Sequence, residues 1–286
     1  MKILLTGSNG QLGRELTRQL AKKKIDFVGY DIPEFDITDK EKMTAIITSE
    51  QPTVIINCGA LTNVDGCETQ KELAMAINAT GPQYLAEIAR DRDIVLVQVS
   101  TDYVFDGSGI IEAGAVRPYR ETDPTDPKTV YGESKAAGEK AVSEIAPKYF
   151  IVRTAWLYGD GNNFVKTMLE LASKHPKLTV VNDQIGSPTS TVDLAAAIID
   201  LIHTDHYGIY HGTCEGQCSW YDFAIEIFRL SGIDIPVEPV TSEQFVRPAP
   251  RPKYSVLENK ALNDLQLNQF RPWQISLVEY LDNLTK

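Results

Sequence analysis

The chain has 286 residues, 43% of them apolar and 23% charged, which suits one large α/β core with a smaller second lobe and excludes a disordered or collagenous polymer. A formal net charge of −11 leaves no basic footprint for a nucleic-acid or membrane-surface binder, although backbone N–H groups at loops and helix N-termini can still hold a phosphate. The apolar run after Met1 is too short for a signal-peptide core, and no stretch approaches the roughly 20 apolar residues of a membrane span. Four cysteines make no disulfide framework, so a reducing, cytoplasmic setting is expected.

In chain order, short apolar runs alternate with helical patterns. Strands are expected at residues 3–5, 27–30, 54–57, 95–99 and 150–152, most of them apolar on both faces as parallel strands are. Helices are expected at 12–21, 40–49, as a pair within 68–90, and at 130–144. Between Phe105 and Thr129 lies a polar loop rich in glycine and proline, of a length that is more often functional than accidental. After Thr154 the alternation becomes irregular and prolines multiply, notably in Val246-Arg247-Pro248-Ala249-Pro250-Arg251-Pro252. The pattern predicts a Rossmann-type doubly wound parallel sheet with a smaller C-terminal α/β substrate lobe. Residues 1–155 would bind a dinucleotide, with 190–212 returning to that domain, and 156–286 would mainly hold substrate.

The first strand runs into Gly7-Ser8-Asn9-Gly10-Gln11-Leu12-Gly13 and then a helix. Glycines at this spacing supply a sharp turn, close backbone approach to a pyrophosphate and a tight helix–strand crossing. Asp31 falls at the end of the second strand, where an acidic residue takes the adenosine ribose hydroxyls and repels a 2′-phosphate. NADH or NADPH is therefore the expected cofactor, with Asp31 tilting the choice toward NADH.

The fourth strand ends in Ser100-Thr101-Asp102-Tyr103, at the carboxyl edge where ligands bind in open α/β sheets. Tyr131 and Lys135 follow at i and i+4 on the next long helix. A ketone accepting hydride gains negative charge on oxygen and needs a proton donor and a hydrogen-bond donor there. Tyr131 suits the first role and Thr101 the second, while the Lys135 ammonium would draw the phenol's pKa down. Cys214 and Cys218, with His203, His206 and His211 upstream, lack the C-x2-C knuckle and a second cysteine pair. They read as buried thiols and surface imidazoles rather than a metal site.

With these motifs in place the chain resembles the extended short-chain dehydrogenase/reductase family over nearly its whole length. The resemblance extends through Asp36 to Asp39, Asn57 to Thr62, Arg153 to Trp156, Gly161 to Phe164 and Asn182 to Thr189. The last three blocks match the branch that reduces nucleotide-linked 4-keto sugars. Tyr103 stands where related sugar dehydratases place a Glu, which removes the base for a C5 proton. The resemblance implies reduction of a dTDP-linked sugar, dTDP-4-dehydro-β-L-rhamnose or another 4-keto-6-deoxy sugar. A non-catalytic NADP-binding regulator of the methionine adenosyltransferase type is the alternative of another class.

Residue by residue, the resemblance implies that Gln11 and Leu12 touch the pyrophosphate and that Asp31, Asp36 and Ile37 border the adenosine half. Cys58, Gly59, Ala60, Leu61 and Thr62 would follow the cofactor along the third strand. Cys58 and Gly59 replace common alanines there, and Leu61 a frequent His. Thr101, Asp102 and Trp156 would face the sugar, with Asn163, Gln184 and Arg251 toward the nucleotide or its diphosphate. Some relatives pair through magnesium held by surface glutamates, which have no match in this sequence; a monomer or a homodimer is expected.

Overall fold

The computed structural model describes residues 1–284. Its centre is a sheet of six parallel strands: β1 (Lys2–Thr6), β2 (Asp26–Tyr30), β3 (Val54–Asn57), β4 (Val95–Thr101), β5 (Tyr149–Thr154) and β6 (Gly208–His211). They lie in the order β6-β5-β4-β3-β1-β2. The direction of winding reverses between β1 and β3, and such a switch opens a crevice at the strands' carboxyl ends.

Apolar side chains cover both faces of this sheet. Ile3, Leu5, Ile56, Val97 and Val152 point into one core, and Leu4, Ile55, Leu96 and Ile151 into the other. This period-two division of nearly uninterrupted apolar runs is what two helical layers require. Helices α1 (Gln11–Lys23), α2 (Lys40–Glu50), α3 (Gly81–Asp91) and α4 (Val130–Ile145) supply most of those layers.

Beyond β5 come α5 (Phe164–Lys174), α6 (Thr191–Leu201), α7 (Trp220–Leu230) and α8 (Trp273–Leu284). Helix α6 packs on α1, and β6 after it pairs with β5, so this returning segment extends the central sheet. A small parallel pair, Leu178–Val181 with Val237–Val240, lies beside α7. Val165, Leu178, Phe223, Trp273 and Leu277 belong to the same core cluster as Ile3 and Val97. Apolar packing is thus continuous from the sheet into the C-terminal lobe.

Two segments differ from the sequence expectation. The loop 105–129 contains a hairpin, Ile110–Glu112 against Ala115–Arg117. It is anchored by Phe105 stacked on Tyr119 at 4.2 Å and by the Arg117–Asp123 ion pair. Ahead of α3, helical structure begins earlier than expected, at Val64–Thr69, and reaches α3 through Lys71–Met75 and a widened turn, Ala76–Thr80. Asn78 in that turn hydrogen-bonds both backbone groups of Leu61, at 2.8 and 3.0 Å, and the Ser134 hydroxyl of α4 at 3.1 Å.

Candidate active site

A cavity of about 670 Å³ opens at the carboxyl ends of β1, β3 and β4. Its floor is backbone. Gly7 turns at φ +63°, where a Cβ would press on the backbone of Cys58 and Gly59, and a Cβ on Gly13 would overlap the Gly7 carbonyl oxygen. Only glycine lets the turn, the start of α1 and the end of β3 come this close. Gly10, Gln11 and Leu12 line the space at the N-terminus of α1, where free N–H groups and the helix dipole favour an anion. Asp31 closes the end by β2, its carboxylate accepting the N–H groups of Asn9 and Ile32 at 2.9 and 2.8 Å.

A dinucleotide fits this cradle on the chemistry of what lines it. Buried polar groups normally find hydrogen-bond partners. Gln11 Oε1, Ser100 Oγ and Thr154 Oγ1 are buried and have none within the protein, and all three residues line the cavity. They are groups that a polar ligand would satisfy.

The Thr101, Tyr131 and Lys135 side chains come together in the same cavity as the glycines. The Thr129 hydroxyl caps α4 by accepting Gly132 N–H at 3.0 Å, which sets Tyr131 in the first turn and Lys135 one turn on. Tyr131 is 8% exposed and Lys135 4%. The phenol shares a hydrogen bond with the Thr101 hydroxyl, which itself donates to Asp102 Oδ1 at 2.9 Å. Tyr103 meets Tyr131 edge-on at 5.5 Å.

The electrostatics depart from the sequence expectation. Burial raises the Tyr131 phenol well above its usual range, an effect only partly opposed by Thr101. Lys135 does not draw it down: its ammonium donates to the Val99 carbonyl oxygen at 2.6 Å. Burial lowers Lys135 to about 8, against the pull of the Glu139 carboxylate. Burial likewise pushes Asp102 up to about 6.

A second cavity of about 660 Å³ adjoins the first and shares Asp102, Tyr103 and Trp156 with it. Trp156 adopts φ +48°, uncommon for a bulky residue, and stacks on Trp220 at 3.5 Å with the rings 6° from parallel. Gly186 makes room for it, since a Cβ there would strike the indole. Gln184, Arg247 and Arg251 bring polar groups to the same cavity. Arg251 is tied to Asp65 at 2.9 Å, and Gln184 donates to the Ser242 hydroxyl at 2.9 Å.

Of the residues named from the sequence, Gly7, Asn9, Gly10, Gln11, Leu12, Gly13, Asp31, Cys58, Gly59, Ala60, Thr62, Thr101, Asp102, Tyr131, Lys135 and Trp156 line the first cavity. Gln184 and Arg251 line the second. Four others are engaged elsewhere. Asp36 accepts the backbone N–H and hydroxyl of Thr38, Ile37 packs against Gly81, and Leu61 is pinned by Asn78. Asn163 caps α5, and its amide nitrogen is spent on the Gly159 and Gly161 carbonyls and the Tyr280 hydroxyl.

His211 is no surface imidazole. It is fully buried on β6 and held neutral, with burial lowering it to about 3. Cys214 and Cys218 are buried, Cys214 beside Asp193 and Ser276. Among the described residues no three His, Cys, Asp or Glu side chains gather as a metal site. Trp220 and Arg247 were missed by sequence reasoning. Arg247 lies in the proline-rich stretch already singled out, whereas nothing near Trp220 marks it.

A glycine cradle beside buried Thr, Tyr and Lys side chains, at the switch point of a parallel sheet, defines a nicotinamide-dependent oxidoreductase of the short-chain type. The family model described as RmlD substrate binding domain matches residues 1–286, and the chain belongs to that family. A dTDP-4-dehydrorhamnose reductase of Streptomyces griseus is 44% identical over 284 residues, 96% of this chain and 91% of the relative. A solved dTDP-4-dehydrorhamnose reductase structure from Clostridium acetobutylicum superposes with a TM-score of 0.96 at 51% identity, all of both chains being covered. Another from Bacillus anthracis, in complex with NADP, gives 0.93 at 40% identity over 99% of each chain.

Proposed function

We propose that the protein reduces dTDP-4-dehydro-β-L-rhamnose to dTDP-β-L-rhamnose, the last step in forming that nucleotide sugar, using NADH or NADPH. The observation that carries the reading is the junction of the two cavities. Thr101 and Tyr131 line the first, and Asp102, Tyr103 and Trp156 belong to both, so a sugar in the second presents its carbonyl to a cofactor in the first. The names of the relatives support the particular sugar.

When bound, the nicotinamide supplies the hydride that adds to C4. Gln11, Leu12 and the surrounding glycines would hold the pyrophosphate, Asp31 the adenosine ribose, and Lys135 the nicotinamide ribose. The Tyr131 hydroxyl, and the Thr101 hydroxyl once turned from Asp102, would hold the C4 oxygen as negative charge grows on it. Burial keeps the phenol protonated throughout the neutral range, so Tyr131 arrives as an acid. An alkoxide is a stronger base than a phenolate, so the proton passes from Tyr131 to the C4 oxygen and is replaced from solvent. The aromatic stack at Trp156 shields the reacting face from water. Asp31 tilts cofactor choice toward NADH by repelling a 2′-phosphate. The four free thiols fit a reducing compartment, and we place the reaction in the cytoplasm.

Purified protein mixed with enzymatically generated dTDP-4-dehydrorhamnose should consume reduced cofactor, followed at 340 nm, and yield the rhamnose nucleotide. Absence of turnover with both NADH and NADPH would overturn the assignment. Turnover only with a different 4-keto-6-deoxy sugar would move the substrate while leaving the chemistry intact.

A further inference from the structure

One buried ion pair behind the site has no part in the step just described. Glu139 lies one helical turn beyond Lys135 on α4, on the same face, and is 5% exposed. Its carboxylate takes three hydrogen bonds from Arg153, which is 3% exposed: Nε at 2.9 and 3.1 Å and Nη2 at 2.6 Å. Arg153 sits on β5 directly opposite Ser100 of β4, one residue before the Thr101–Thr154 pair. The guanidinium lies over the Phe105 ring at 5.0 Å and reaches the Glu121 carbonyl at 3.4 Å. A carboxylate is thus fixed beneath the catalytic helix by the strand next to the one that carries Thr101.

Charged groups buried away from water must be compensated by neighbours. The Lys135 ammonium has one hydrogen-bond acceptor, the neutral Val99 carbonyl oxygen. The other titratable groups facing it are Glu139 on its own helix and the Cys58 thiol at the end of β3. Burial pushes that thiol up to about 12, so at neutral pH it carries no charge. Glu139 is therefore the anion within reach.

We propose that Glu139, clamped by Arg153, is a positioning residue that keeps Lys135 charged and directed at the nicotinamide ribose. Arg153 prevents the carboxylate from swinging up to bond Lys135 directly, which would withdraw the ammonium from the cavity. Glu139 acts on Lys135 through space, one turn away, and touches neither ligand. The inference rests on the cofactor-side reading and is independent of which sugar is reduced.

The test is NADH binding to the whole protein, followed by cofactor fluorescence from pH 6 to 9.5 with no sugar present. Wild-type affinity should hold until about pH 8 and then fall as Lys135 loses its proton. In Glu139→Gln the fall should begin about one pH unit lower, and in Glu139→Asp it should return toward the wild-type midpoint. Any titration of the ligand itself is common to every variant and cancels in the comparison. Because Glu139→Gln leaves Arg153 buried without its partner, the double variant Glu139→Gln, Arg153→Met removes both charges and should show a smaller displacement in the same direction. A folded variant without Glu139 whose midpoint matches wild type overturns the proposal. So does failure of both variants to fold while Lys135→Met folds normally, since the pair would then be purely structural. A correct displacement in a protein that reduces no dTDP-linked sugar would keep this inference and reject only the substrate.

Discussion

The two cavities are of similar volume yet are built of different material. The first is shaped by backbone, at Gly7, Gly10 and Gly13, whose missing side chains let α1, β1 and β3 converge. The second is walled by side chains remote in sequence, among them Trp156, Phe164, Trp220, Arg247 and Arg251. A backbone-built site offers the same N–H groups to any ligand with the same pyrophosphate. A side-chain-built site can be retuned one contact at a time. In the proposed reaction the common part of the substrate pair, the dinucleotide, would meet the rigid wall, and the variable part, the sugar nucleotide, the adjustable one.

That contrast can be broken from the junction outward. Tyr131→Phe should lower kcat by about 10²- to 10⁴-fold while cofactor affinity stays within a few-fold of wild type. Stopped-flow single turnovers read the first quantity and fluorescence titration the second, and an unchanged chemical step would remove Tyr131 as the acid. Gly13→Ala places a Cβ against the Gly7 carbonyl, so cofactor binding should weaken by about 10- to 100-fold, the cost of a backbone shift of about 1–3 kcal/mol. Calorimetry showing wild-type affinity would mean that the glycine turn is not the cradle.

On the side-chain wall, Trp220→Ala removes the ring against which Trp156 stacks, and KM for the sugar nucleotide should rise by about threefold to tenfold. Cofactor affinity should not follow it. If both constants move together, the two walls are one unit and the contrast fails.

The smallest effect at neutral pH concerns His211, whose fully buried imidazole is depressed to about 3. Its neutral form contributes stability that is present above the unfolded value of about 6.5 and is lost as pH falls from there toward 3. Unfolding free energy should therefore decline in that window by up to about 1.4 kcal/mol per pH unit from this group. His211→Gln should flatten the decline while changing little at pH 7.5. Parallel pH profiles for the two proteins would show that the imidazole is not held neutral.

The same contrast explains what could be read in advance. The 54–57 strand has the expected bounds and the helix expected at 40–49 ends one residue later, because apolar runs and helical periodicity are local signals. The glycine spacing exposed the cradle for the same reason. Asn163, Ile37 and Leu61 were assigned to ligand from motif position, and motif position did not reveal the partners each has within the protein. Trp220 pairs with a residue 64 positions earlier, and Glu139 with a strand on the far side of a loop. Such partners are set by strand order and helix packing, which leave no local trace in the sequence.

Asn78 carries a consequence of another kind. From a single widened turn it clasps Leu61, just after the cofactor-facing end of β3, and Ser134, between Tyr131 and Lys135. On α4 Gly138 is bare enough to admit the Asn78 carbonyl. The stretch from 61 to 78 therefore works as a ruler whose length is fixed at both ends. Insertions or deletions can accumulate at the exposed 111–116 tip of the hairpin, but a residue gained or lost along the ruler would shift the Leu61 loop against Tyr131 and disturb both at once.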